Sequence, residues 1–61
     1  MSPLFALDLA RRTLRDAVGD LDLEEDAHRA ALVCVVEAIQ LLTRATRTLE
    51  LAAIRAKNRA A

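Results

Sequence analysis

Sixty-one residues with a formal net charge of zero, 54% hydrophobic and 30% charged, exclude a multidomain protein, a disordered tail and a binder driven by net charge alone. One cysteine and one histidine leave no intrachain disulfide and no Cys/His metal cluster, the usual staples of so short a chain. Association with another chain is the remaining route to stability.

Ser2-Pro3 opens the first predicted helix, with serine as N-cap and proline at the first helical position. The pattern carries the helix over about 3–18, and Gly19 reads as its left-handed C-cap. At about 100° per residue, Leu4, Leu7, Ala10, Leu14, Ala17 and Val18 gather on one side. Phe5 and Leu9 fall roughly opposite, beside Arg12 and Asp16.

A turn is expected at 19–21. Asp22-Leu23-Glu24-Glu25 then reads as an acidic capping box, with Asp22 as N-cap and helix 2 running over about 23–58. Carboxylates at 22, 24, 25 and 26 suit the positive end of the helix dipole, and the cations near the far end suit its negative end. A connection this short forces an antiparallel hairpin. The arms are unequal, and helix 1 is expected to reach only to about residue 38.

Helix 2 carries a heptad stripe at Ala31, Val35, Ala38, Leu42, Ala45, Leu49, Ala52 and Ala56, with steps of four and three. In ALVCVVEAIQLL, residues 31–42, only Glu37 and Gln40 are polar. The Ala31/Cys34/Ala38 side is expected to face helix 1, with Cys34 a small buried hydrophobe. Leu32, Val33, Val36 and Ile39 lie away from it, while Leu42, Ala45, Leu49, Ala52 and Ala56 run past its end. These nine residues are the candidate dimer interface. The expected fold is all-α: a helical hairpin that dimerises into a four-helix bundle, or antiparallel coiled coil.

Charge is sorted along the chain. Asp20, Asp22, Glu24, Glu25 and Asp26 crowd the turn, whereas Arg44, Arg47, Arg55, Lys57 and Arg59 dominate the far end against Glu50. Antiparallel copies bring opposite ends together; parallel copies bring like ends together. A homodimer, antiparallel, is therefore the first expected partner.

No nucleophile–base pair, glycine-rich phosphate loop or metal-ligand spacing is present, so no catalytic, metal or cofactor site is expected and the chain reads as a non-enzyme. His28, beside the acidic turn, reads as a solvated surface residue. Phe5, Leu9 and Arg12 are candidate partner-binding residues, because apolar side chains rimmed by charge mark recognition surfaces. Arg11, Arg15, Arg44, Arg47, Arg55, Lys57 and Arg59 are candidate nucleic-acid contacts through phosphate. The balanced charge and lack of a neighbouring aromatic weigh against them. The N-terminus lacks the basic-then-apolar pattern of a signal peptide. The 30–42 run falls short of the ~20 apolar residues a bilayer requires. A cytoplasmic location with no membrane partner is expected.

A hairpin of this size, pairing antiparallel into a bundle with alanine and leucine layers, is similar in outline to the Rop family of plasmid copy-number proteins. The resemblance is architectural and covers no motif; that family's arms are nearly equal, and its phenylalanine has no assignable counterpart here. It implies RNA or DNA contact through the first helices, where Arg11, Arg12 and Arg15 form a basic strip. Three functions follow as expectations: a homodimeric bacterial or phage regulator, inhibitor or adaptor that binds another protein; a nucleic-acid-binding regulator; or a structural coiled-coil subunit of a larger assembly.

Overall fold

The computed structural model describes residues 2–60. Two helices make up the fold, α1 over Pro3–Gly19 and α2 over Asp26–Ala60. They pack against each other as a flat pair with extents of 55 × 19 × 11 Å. The longest dimension is the length of α2, 35 residues at 1.5 Å each, or about 52 Å. The other two are roughly the widths of two helices and of one.

The start of α1 follows its sequence. Ser2 takes an extended conformation, and its Oγ accepts the Phe5 N–H at 3.1 Å. The Ala6 N–H donates to the Ser2 carbonyl at 3.1 Å. Pro3 occupies the first turn, where its missing N–H costs nothing.

The end of α1 differs from expectation. Gly19 is the last helical residue, and no described residue has a positive φ. The cap is Asp20, right-handed at φ −90° and ψ −6°, whose N–H donates to the Ala17 carbonyl at 3.0 Å. The Leu21 N–H then donates to the Val18 carbonyl at 3.2 Å. The helix therefore tightens into a 3₁₀-like last turn, which satisfies its terminal carbonyls without a left-handed residue.

The second helix also begins later than Asp22. Asp22 Oδ1 accepts the Glu24 N–H at 3.0 Å, and the Asp22 carbonyl accepts the Glu25 N–H at 3.0 Å. The intended capping box is spent on a local turn, a competition open to any aspartate with free N–H groups two residues on. Glu25 supplies the first helical carbonyl instead, accepting the Arg29 N–H at 3.1 Å. The connection thus spans 20–25 rather than 19–21.

That longer connection is tied down from α2. His28 Nδ1 accepts the Asp22 N–H at 2.7 Å, and Arg29 Nη1 donates to the Leu23 carbonyl at 2.8 Å. His28 is half-buried at the surface, with its side chain 38% exposed. Arg29 also pairs with Asp26, one turn back on the same helix.

The extra loop residues slide the two arms along each other. Leu4, Leu7, Ala10, Leu14 and Val18 of α1 are half-buried, and Ala17 is exposed. On α2 the half-buried stripe is Ala31, Leu32, Val35, Ala38, Ile39, Leu42, Ala45 and Thr46. The covered part of α2 therefore extends to about residue 46, not 38. The reason is geometric: a 17-residue helix, about 25 Å long, that begins its return at residue 26 covers roughly that span. From Arg47 to Arg59 every residue is exposed.

No described residue is fully buried. Two crossed rods can cover only the facing stripe of each other, so a core in the usual sense does not form within the hairpin. A compact chain of this mass would expose about 3,900 Å², whereas this one exposes 5005 Å².

Candidate functional site

The residues nominated as an interface separate into two groups. Leu32, Ile39, Leu42 and Ala45 are half-buried within the hairpin itself. Their heptad spacing reports the α1 contact, because that contact is long enough to include them. Val33, Val36, Leu49, Ala52 and Ala56 are exposed, with Val33 at 58% and Val36 at 41%. Cys34 is free and exposed, not buried against α1. At about 100° per residue it falls roughly 100° around from the middle of the covered stripe.

Further apolar exposure was less legible. Leu41 is the most open large apolar residue among those described, at 59%, and Ile54, Leu23 and Leu51 are also exposed, at 54%, 53% and 44%. Leu51 and Ile54 stand 18 residues beyond Val33 and Val36, five helical turns, so each lies directly in line with its counterpart. A stripe read at one heptad register passes over such side chains, because they sit on the other sides of the same rod.

Phe5 and Leu9 lie on the outer side of α1, 58% and 48% exposed. Beside them, Arg12 is held by Asp8 Oδ2 at 2.7 Å. The other oxygen of Asp8 takes Arg11 at 3.1 Å. Arg11 and Asp8 are half-buried at the edge of the helix pair. Arg11 Nε is buried there without a hydrogen-bond partner. The strip Arg11/Arg12/Arg15 is thus not three free cations: Asp8 engages two of them, and Arg15 alone stands clear in solvent.

The far end is different. Arg44, Arg47, Arg55, Lys57 and Arg59 are exposed. Every ion pair among the described residues lies at or before Arg29: Asp8 with Arg11 and Arg12, Glu25 with His28 at 3.5 Å, and Asp26 with Arg29. Glu37 and Glu50 are likewise exposed and have no ionic partner among the described residues.

Among the described residues there is no pocket and no group of three His, Cys, Asp or Glu side chains placed to hold a metal. No helix among them is long and apolar enough to cross a membrane. Comparison with protein families, curated proteins and solved structures gives no match.

Proposed function

We propose that this chain is a small non-enzymatic helical binding module, homodimeric, that regulates, inhibits or tethers another protein through its exposed helix faces. The observation that supports the reading is the absence of any fully buried residue among those described, alongside wide apolar exposure. A rod with apolar side chains on opposite sides gains from every face that a partner covers, at about 25 cal/mol per Å² of apolar surface removed from water. Phe5 and Leu9, rimmed by the Asp8–Arg12 pair, form the face proposed for the outside protein. Aromatic anchors ringed by charge are typical of such surfaces.

The experiment is capture of partners by the native chain and by a Phe5→Ser/Leu9→Ser variant, both with nuclease treatment. A protein that binds the native chain after nuclease, is lost with the variant and rebinds as a purified component supports the reading. If the variant instead loses self-association, those two residues belong to the bundle and the outside partner is not docked there.

The unpaired cations along 44–59 favour a second reading, contact with RNA or DNA phosphates. It requires binding that weakens steeply with salt. Binding that is absent at low ionic strength removes it.

A further inference from the structure

We propose that the side of α2 centred on Leu41 docks a second copy of this chain, antiparallel, with the twofold axis passing between Gln40 and Leu41. This rests on the proposed self-association and goes beyond it by fixing the side of the helix and the register.

The charges carry the argument. Asp26, Glu37, Arg44 and Arg55 are all exposed, and at about 100° per residue they fall within roughly 20° of one line along α2. They stand eleven, seven and eleven residues apart, in the order acid, acid, base, base. Reversing the helix about the point between Gln40 and Leu41 sets Asp26 opposite Arg55 and Glu37 opposite Arg44. The twofold axis repeats each pair, giving four interchain contacts along one rim. A parallel copy in register sets acid against acid and base against base.

These charges do not satisfy one another within the chain. Glu37 and Arg44 are two turns apart, about 10 Å, whereas intrahelical pairs form at three or four residues. Neither they nor Arg55 have an ionic partner among the described residues, while Asp26 shares Arg29.

Beside the charged line runs an exposed row: Ala30, Cys34, Leu41, Thr48 and Ala52. Its steps of four, seven, seven and four read the same in both directions about Leu41, which stands half a residue, roughly 0.75 Å along the helix, from the axis that the charges set. Leu41, 59% exposed, meets its own copy there. The smaller residues on either side let the two axes approach to about 8 Å, the close end of helix packing.

Position and area agree with this face. It lies roughly 100° around α2 from the stripe that α1 covers, close to the corner angle of a four-helix bundle, so α1 does not obstruct it. The chain exposes 5005 Å², about 1,100 Å² above the expectation for a compact chain of this mass. A standard interface removes about 800 Å² from each partner.

Three measurements on the full chain test the proposal. Sedimentation at micromolar concentration should give a dimer; a folded monomer overturns both the self-association and the register. Glu37→Arg should raise the dissociation constant about tenfold at low salt, since two attractive contacts become repulsive. Glu37→Arg with Arg44→Glu should restore it to within about twofold of the native value. A dimer that shows no rescue overturns the register and leaves self-association standing. Finally, Leu41→Cys in a Cys34→Ser background should oxidise to a disulfide-linked dimer, because the two positions meet at the axis. Native Cys34 should not, being about 20 Å from its copy along the helix in this register. Efficient cross-linking of native Cys34, with none through position 41, also overturns it.

Discussion

Replacing Gly19 with alanine should stabilise this protein, although a glycine after an amphipathic helix ordinarily marks a left-handed cap where alanine is penalised. Gly19 is the final residue of α1, its φ is not positive, and a Cβ built on it meets nothing within 4 Å. Alanine is favoured over glycine inside a helix by about 0.8–1.0 kcal/mol. A last-turn position, where fraying dilutes the gain, should yield about 0.4–1 kcal/mol, part of it from reduced freedom of the unfolded chain. For a chain of about 60 residues that corresponds to a rise in Tm of roughly 2–8 °C. The assay is thermal unfolding by circular dichroism, with both proteins at one concentration, because an associating chain melts at a concentration-dependent temperature. A fall in Tm would mean that Gly19 needs the left-handed region after all. The Asp20 cap and the 20–25 connection would then be wrong, and with them the slide that places Leu42 and Ala45 under α1.

Other perturbations test other joints. His28→Ala removes the acceptor of the Asp22 N–H and should cost about 0.5–1.5 kcal/mol in urea unfolding; an unchanged midpoint would show that the loop is not held from α2. Ser2→Ala deletes the oxygen that takes the Phe5 N–H and should cost about 1 kcal/mol, with faster amide exchange at Phe5 as the local sign. Ending the chain after Thr46 keeps every described residue that the hairpin half-buries but discards Thr48, Ala52 and Arg55 of the proposed dimer face. Self-association should weaken at least about tenfold by sedimentation; undiminished association would place the interface entirely within 26–46.

Much of the molecule was legible from residues alone. Two helices, short then long, follow from Ala, Leu, Arg and Glu content, from the Ser2-Pro3 start and from apolar periodicity, all of which act over a few residues. The outward position of Phe5 and Leu9 follows from the same periodicity. So does the inward position of Leu7, Leu14, Val35 and Ala38, since a side chain's direction on a helix is fixed by its number.

Three features needed the packed pair. Asp22 can cap a helix or fold a turn at similar local cost, and the His28 and Arg29 contacts reaching back to residues 22 and 23 favour the turn. Gly19 can take either hand, and the tightened last turn ending at Asp20 makes the left-handed one unnecessary. Which α2 residues α1 covers depends on how many residues the connection consumes, so Leu42 and Ala45 came inside while Cys34 stayed out. The sequence by itself determined the two rods and the angular position of each side chain, because helix geometry is local. Only the tertiary structure decided where one rod stops along the other, because that offset is set by loop hydrogen bonds whose partners are distant in helical register and leave no periodic trace.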